Sequence, residues 1–415
     1  MCSQLKLAVS NSGNNYFKLL CCPKPLAALQ SSLYMNNTGS NIHTDKTMLT
    51  TNGKKIFCTV TTDLTYDQRM IRICTSLAEA GYDVTLVGRK MKNSVPLTTQ
   101  PFKQKRINCF IEKGKLFYAV YNLRLLFFLL FKKMDCIVAI DLDTILPCYF
   151  ISRIKKIKKV YDAHELFCEM KEIATRPAIY ALWKKIEKFT VTKFTDGYTV
   201  NQSIAAAFKK MYGVQYEVIR NIALLRPLLQ QPKTEKFILY QGAVNEGRCF
   251  ETLIPAMKSV DSRLIICGDG NFMEQARLLV TENNLQQKVI FKGKIKPDEL
   301  RTITQQAFIG VTLFDDTGLS NYYSLANRFF DYLHAGIPQL CVDYPVYKEI
   351  NEDLPFALLI NYTTAENIAI QLNNLLHNEV LYKQLQSNCI KAREIYNWQA
   401  EAKKLVGFYN QLLAN

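Results

Sequence analysis

The chain has 415 residues, 48% hydrophobic and 21% charged; that balance is typical of soluble globular domains and excludes collagen-like, coiled-coil and wholly disordered chains. Fifty-two Lys and Arg against 36 Asp and Glu leave a net charge of +16, which suits an anionic membrane surface, a phosphorylated substrate or a nucleic acid. A chain of this length implies two or three domains.

Residues 1–53 carry Asn/Ser/Thr clusters (NSGNN, NNTGS) and no sustained hydrophobic period. They read as a disordered N-terminal extension, with Met35 and Met48 as later candidate starts. The opening MCSQLKLAVSNSGNN lacks the order of a secretory signal. From Lys54 strands and helices alternate. KIFCTV is a short apolar strand. Asp67–Ala80 follows with apolar residues at Met70, Ile71, Ile73, Cys74, Leu77 and Ala78, a helical period closed by Gly81. DVTLVG is the next strand, so the unit is β-α-β with parallel strands. Leu116–Phe131, LFYAVYNLRLLFFLLF, is apolar but contains Asn122 and Arg124 and falls short of the roughly 20 apolar residues of a membrane span. It is either a core helix or one lying on an anionic membrane surface, since residues 101–160 hold 13 Lys/Arg against four Asp/Glu, a local net of +9. The alternation continues through CIVAI, a helix through Phe150–Ile154, KKVYD, the helix Ala178–Phe189, GYTV, a helix from about Gln202 to Met211, and YEVIR.

Arg226–Lys236, RPLLQQPKTEK, is polar and proline-punctuated and reads as a linker. The rhythm then restarts with FILY, the helix Arg248–Ser259, RLIIC, the helix Phe272–Thr281, KVIF, the helix Pro297–Ala307, FIGVTLF, the helix Leu325–Ala335 and PQLCV. Three helices close the chain: Thr364–His377, Glu379–Ile395 and Ala400–Leu413. The pattern predicts an α/β protein of two Rossmann-like, doubly wound domains, 54–225 and 237–398, joined by the linker 226–236. They would face each other across a cleft at the C-terminal ends of their strands, where ligands bind. The last helix, 399–415, is expected to cross back to the first domain. The 13 cysteines never occur as C-x-x-C, which removes the usual zinc and thioredoxin signatures, and they read as reduced core residues of a cytoplasmic protein.

Three features of the second half suit an anionic ligand. Gly242 follows a strand, Gly247 lies in the turn and Arg248 at the next helix start; small residues admit backbone N–H groups to an anion, and a guanidinium pairs with phosphate oxygens. Gly268-Asp269-Gly270 ends the strand RLIIC, as a second close approach or simply a tight turn. In GLSNYYSLANRFFDYLHAGIP, Leu325, Phe329 and Leu333 share a buried face and Asp331 lies off it. Asp331 is either a solvated acid or a carboxylate accepting from ribose hydroxyls, with the helix N-terminus at about Ser324 facing a diphosphate. In the first half, His164 of YDAHE alone among four histidines combines a strand end with flanking acids. Asp141-Leu142-Asp143 is a D-x-D at a strand end, fit for a helix cap or for a divalent ion with a diphosphate.

With these residues in view, Lys54 to Leu413 resembles the GT-B glycosyltransferases, specifically the retaining group called glycosyltransferase family four. The family's strand–G–R–x–E–K–G segment is similar to Gly242–Cys249, its phosphate-binding lysine falling on Arg248 and its arginine on Ala243. Its V-G-x-G stretch resembles Cys267–Gly270. Of its two glutamates eight residues apart, the one that holds the ribose falls on Asp331 and the one that contacts the donor sugar falls on Tyr323. NYYSLANRFFDYLHAGIP, YDAHELF and DLDTILPC look like a bacterial surface-polysaccharide subgroup. The family's glycine-rich first loop is replaced by TTDLTYDQR, whose Asp63, Asp67 and Arg69 would face the acceptor together with Asp143.

The resemblance implies a metal-independent hexosyltransferase with no cofactor. It would move a sugar from a nucleotide-sugar donor to a glycan or lipid-linked acceptor, with retention, in cell-surface polysaccharide or lipopolysaccharide synthesis. Arg248 and the helix near Ser324 would stabilise the leaving diphosphate, Gly242, Gly268, Asp269 and Leu325 would line the donor, Asp331 would orient the nucleotide, and His164 would place the transferred sugar. The expected location is cytoplasmic, peripheral on the inner face of the membrane. The rivals are a metal-dependent transferase built on the D-x-D, and a catalytically inactive binding or scaffold protein of the same fold. No nucleic-acid partner is expected, as no helix-turn-helix spacing or RNP-like aromatic pattern occurs.

Overall fold

The computed structural model describes residues 53–65, 67–111, 114–228, 235–316 and 318–414. The predicted N-terminal extension lies outside these residues except for Gly53, and so do Met35, Met48 and positions 229–234 of the predicted linker.

The first half contains β1 (Lys55–Thr59), α1 (Gln68–Glu79), β2 (Asp83–Lys90), β3 (Lys103–Asn108), α2 (Lys115–Leu130), β4 (Cys136–Ile140), α3 (Ile145–Lys155), β5 (Lys158–Ala163), α4 (Lys171–Ala174), α5 (Pro177–Val191), β6 (Gly197–Thr199), α6 (Gln202–Tyr212) and β7 (Glu217–Val218). The second contains β8 (Phe237–Gln241), α7 (Phe250–Ala256), β9 (Arg263–Cys267), α8 (Met273–Glu282), β10 (Val289–Gly293), α9 (Pro297–Gln306), β11 (Ile309–Thr312), α10 (Leu319–Tyr322), α11 (Asn327–Ala335), β12 (Gln339–Val342), α12 (Pro345–Asn351) and β13 (Ala357–Ile360). Helices α13 (Ala365–His377), α14 (Glu379–Ile395) and α15 (Trp398–Ala414) end the chain.

The strands form two wholly parallel sheets, β3-β2-β1-β4-β5-β6-β7 and β10-β9-β8-β11-β12-β13. This is the doubly wound α/β architecture predicted from the alternation. Each order reverses once, between β1 and β4 and between β8 and β11, and such switch points open a crevice at the strand ends. The central strands CIVAI and FILYQ are buried at every residue, as helices on both faces require. Alternate residues of β1 feed opposite cores: Ile56 and Cys58 join α1 and α15, whereas Phe57 joins α2, α3 and α6. All ten cysteines among the described residues are free and buried.

Two helices start two residues later than predicted. α7 begins at Phe250, because Gly247 and Cys249 hold left-handed backbone at φ +78° and +55° and bend the chain before the helix. α11 begins at Asn327, because the Ser324 hydroxyl donates to the Asn321 carbonyl at 2.9 Å and Ala326 stays extended.

Helix α2 buries Phe117, Tyr121, Leu125 and Leu129, an i, i+4 stripe, while Leu116, Leu123 and Phe127 on its other side are more than half exposed, as is Phe131 just past its end. No helix among the described residues is long and apolar enough to cross a membrane.

Helix α15 packs on α1. Trp398, Leu405 and Tyr409 are buried with Met70, Ile73 and Leu77. Trp398 Nε1–H donates to Ser76 Oγ at 3.0 Å, and Tyr82 Oη–H donates to Asn410 Oδ1 at 2.7 Å. Buried Glu401 accepts from the Arg220 backbone N–H at 2.9 Å. Trp398→Ala is expected to destabilise the protein by about 3–5 kcal/mol, the range for a buried large aromatic. Ser76→Ala, which removes one hydrogen bond, should cost about 0.5–1.5 kcal/mol. Chemical denaturation of both variants measures the difference.

Candidate functional site

A cavity of about 640 Å³ lies where the two sheets' loops meet. The first domain lines it with Asp67, Arg69, Arg72, Asp141, Asp143 and His164, and the second with Ser320, Ser324, Leu325, Ala326 and Asn327. The two sides are tied directly. Asn201, the N-cap of α6, donates from Nδ2 to the Tyr323 carbonyl at 2.8 Å, and Asn221 Nδ2 donates to Asn327 Oδ1 at 3.0 Å. Arg72 donates to the same Asn221, so α1 is linked through it to the start of α11.

At the floor of the first domain, four charges alternate. Asp162, at the end of β5, is fully buried, and Arg69 from α1 donates to its Oδ1 at 2.7 Å. His164 Nε2 lies 3.3 Å from Asp162 Oδ2 and Nδ1 lies 3.1 Å from Asp141 Oδ2. The His164 backbone N–H also donates to Asp141 Oδ1 at 2.9 Å. Burial alone would raise Asp162, but Arg69 and His164 hold it below the usual carboxylate range. Burial likewise works against charge on His164, yet Asp141 and Asp162 overcome it and push its pKa up to about 10. Both ring nitrogens thus face carboxylates, and at neutral pH the ring is an imidazolium that donates and does not accept a proton. Asp141 holds φ +51°, a region that non-glycine residues rarely adopt and that concentrates at functional sites.

Asp143, two residues on, accepts from Thr61 Oγ1 at 2.9 Å through Oδ2, while its buried Oδ1 has no hydrogen-bond partner. Burial, then the neighbouring Asp141, raise its pKa to about 7. Asp67 caps α1 by accepting from the Met70 N–H and also lines the cavity. Asp63 lies outside the cavity lining and accepts from the Thr65 N–H of its own loop and the Ser94 hydroxyl of the loop after β2.

On the second domain, Gly242 and Gly268 bring two strand-end loops into backbone contact. A Cβ on Gly268 would lie 1.7 Å from the Gly242 carbonyl oxygen, and Gly242 itself holds φ +123°; only glycine fits either place. The Asp269 carboxylate accepts from the Gly270 N–H at 2.9 Å, and the Asp269 carbonyl accepts from the Val244 N–H of the loop after β8 at 3.1 Å. Arg248 lies 4.3 Å over the Phe314 ring and donates to Asn321 Oδ1 at 3.1 Å. Burial, then neighbouring Arg328, lower its pKa. Asp331 accepts from Gln241 Nε2 at 2.8 Å, and burial raises its pKa to about 6 against the pull of Gln241, Arg72 and Arg328. Tyr323 packs against the first domain's core.

Thus His164, Asp67, Arg69 and Asp143 meet Ser324 and Leu325 around one cavity. Gly242, Arg248, Gly268, Asp269 and Asp331 lie on the second domain outside that lining. Sequence reasoning missed Arg72, Asn221 and Arg328. Arg72 had a faint signal, one helical turn after Arg69; Arg328 had none, since a charged residue at a helix start reads as solvated.

Residues 222–393 match the family described as "Glycosyl transferases group 1". The chain is 23% identical over 182 residues to a protein named uncharacterized glycosyltransferase MJ1607 from Methanocaldococcus jannaschii. That match covers 42% of this chain and 45% of the relative, so the chain spans about half the length of the curated relative it matches. Sucrose-phosphate synthase (tll1590) from Thermosynechococcus elongatus superposes with a TM-score of 0.74 at 18% identity, over 87% of this chain and 99% of its own. Anabaena Alr3699/HepE in complex with UDP-glucose superposes with a TM-score of 0.67 at 12% identity, over 86% and 99%. These likenesses show the fold, two Rossmann-like domains of the GT-B kind, and the family match lies on the second of them.

His164 carries a pH signature. Its folded pKa of about 10 stands above the unfolded value of about 6.5, so its contribution to stability is fully present below about pH 6.5 and is lost as pH rises through about 10. The ring's nitrogen NMR shifts should stay those of imidazolium from about pH 6 to about pH 9. Asp141→Asn should bring the titration down toward neutrality. A ring that titrates near pH 6.5 in the parent protein would contradict the clamp.

Proposed function

We propose that this protein is a retaining glycosyltransferase that moves a sugar from a nucleoside-diphosphate sugar to a glycan or lipid-linked acceptor in cell-surface polysaccharide synthesis. The observation that carries the reading is the juxtaposition at the cavity. A clamped imidazolium and carboxylates stand on the first domain; on the second are the start of α11 at the cavity, Asp331 farther along the same helix and Arg248 on the neighbouring loop before α7. HepE, of the same fold, was solved with UDP-glucose, and the subgroup motifs of the sequence supply the polysaccharide part.

In this reading the N-terminal turn of α11 and Arg248 stabilise the departing diphosphate. Asp331 accepts from the ribose hydroxyls, and Gly242 and Gly268 let the loops approach the donor. His164, held as a cation, positions the transferred sugar and is not the base. The acceptor oxygen bonds to the anomeric carbon as the bond from that carbon to phosphate oxygen breaks. The electron pair leaves with the phosphate, which takes up the acceptor's proton. Asp143 Oδ1 is the group that meets an acceptor hydroxyl, and Asp67 and Arg69 flank it. The leaving-group charge is met by side chains and helix N–H groups, with no metal or cofactor. Asp141 is engaged with His164 and Asp143 with Thr61, so the carboxylates of the D-x-D hold different partners.

The lipid-linked acceptor is reached at the membrane face of the first domain. Exposed Leu116, Leu123, Phe127 and Phe131 lie beside Arg124, Lys132 and Lys133, apolar side chains that enter the acyl boundary beside cations that meet anionic headgroups.

Three measurements test the reading. Arg248→Ala is expected to lower turnover by roughly 10²-fold with the fold intact, since its contact strengthens as the leaving group gains charge. Asp331→Ala should instead raise the donor KM more than it lowers turnover, because the ribose is remote from the reacting bond. If both variants transfer sugar like the parent, the donor site is elsewhere; if the parent transfers none, the inactive scaffold is the better reading. The second measurement is pH dependence. Asp331 must ionise to accept from two hydroxyls, so the donor KM should fall as pH rises through about 6. The diphosphate diester itself does not titrate there, and Asp331→Asn should flatten the profile. Third, liposome flotation should show binding to anionic vesicles that salt weakens. Phe127→Glu with Phe131→Glu should abolish it, and a parent that stays unbound at low salt would remove the membrane from the proposal.

A further inference from the structure

We propose that Arg328 is a second diphosphate-binding cation, reaching the donor from beneath Gly242 and taking the place of the arginine that Ala243 lacks. The inference rests on the donor-site reading above and adds a residue to it. Arg328 is the second residue of α11 and is only 7% exposed. A guanidinium buried so deeply ordinarily has a carboxylate partner, because removing an unpaired charge from water is costly. Among the described residues Arg328 has none. NH1 donates to Tyr240 Oη at 3.3 Å and NH2 to the Leu313 carbonyl at 3.4 Å, both long and both neutral, and Nε has no partner. Asp331, one turn on, is engaged by Gln241. Two aromatic faces hold the group in place, its central carbon 4.7 Å from the ring centroids of both Tyr240 and Phe314.

Its direction identifies the anion. NH1 lies 3.3 Å from the point a Cβ on Gly242 would occupy, so the glycine leaves the guanidinium open toward the exposed Gly242–Ala243 loop. Arg248 lies over the same Phe314 ring at 4.3 Å. Two guanidiniums on one ring repel each other unless an anion joins them. An anion of two linked phosphoryl groups offers oxygens to both. Ala243 is exposed and carries no charge of its own, so the cation that a β8-loop arginine would bring from above comes here from α11 below.

The test is calorimetric titration of the full chain with UDP, GDP and ADP, with the matching nucleoside and with inorganic pyrophosphate. Parent protein should bind one of the diphosphates and, more weakly, pyrophosphate. Arg328→Gln should weaken both by roughly 10- to 100-fold, the range for a lost charge-assisted contact, and leave the nucleoside unchanged. Arg328→Lys should lose less, and Ala243→Arg placed on Arg328→Gln should restore diphosphate binding. Thermal melting without ligand monitors the fold; should Arg328→Gln not fold, Arg328→Lys takes its place. A folded variant that binds diphosphate like the parent, while Arg248→Ala does not, overturns Arg328 and leaves the donor reading standing. Equal loss of nucleoside and diphosphate also overturns it, making Arg328 a support for α11 only. A parent that binds none of these probes overturns both.

Discussion

A carboxylate with no access to water, Asp162, sits at the end of β5, and much of the first domain is arranged around keeping it charged. Left unpaired it would be strongly destabilising. Arg69 reaches it from α1 and His164 from the loop after β5, and Asp141 in turn holds His164 by ring and by backbone. The chain of alternating sign therefore fixes three things together: the seat of α1, the course of the loop after β5, and the strained backbone at the end of β4. It also decides what the histidine can do. A ring between two carboxylates keeps its second proton, so the chemistry open to it is hydrogen-bond donation and electrostatic placement.

The second domain has the opposite character. Arg248, on the loop after β8, and Arg328, at the start of α11, gather around one aromatic ring, while the nearby carboxylates are turned to amides, Asp331 to Gln241 and Asp315 to Asn321. Between the two lies Tyr323, just past the end of α10. Its ring packs on the first domain's core and its carbonyl accepts from Asn201. An acid there would place a charge in that apolar contact. The residue thus has a structural occupation across the domain boundary, where α10 and α11 meet the first domain.

What could be read from the sequence follows the physics of burial. Strands buried on both faces, CIVAI and FILYQ, announce themselves by composition alone, and helices such as Asp67–Ala80 by period and cap. The edge strand KQKRIN does not, because only one of its six residues is buried and the rest are free to be polar. Strand ALLI and helix PVYKEIN lie close behind PQLCV, too short for a period to show. Helix starts at Arg248 and Leu325 were misplaced by two residues each, since left-handed backbone at Cys249 and extended backbone at Ala326 depend on the loops they join. His164, Asp143, Asp67 and Arg69 were legible as charged residues at strand ends and helix starts. Arg328 was not, because its meaning comes from Tyr240, Gly242 and Phe314, which only tertiary structure brings beside it.

The placement of α15 has a consequence for synthesis. The first domain is translated first, yet its core includes Trp398, Leu405 and Tyr409 from the last seventeen residues of helix. While the ribosome is still making the second sheet, the apolar side of α1, with Met70, Ile73 and Leu77, has the cover of Ile56, Cys58, Val84 and Leu86 but lacks the part that α15 supplies. A segment in that condition is prone to aggregate and is what chaperones recognise. The core of the first domain is therefore complete only once α15 has been made and docked, so an early-translated part of the molecule waits for one made much later.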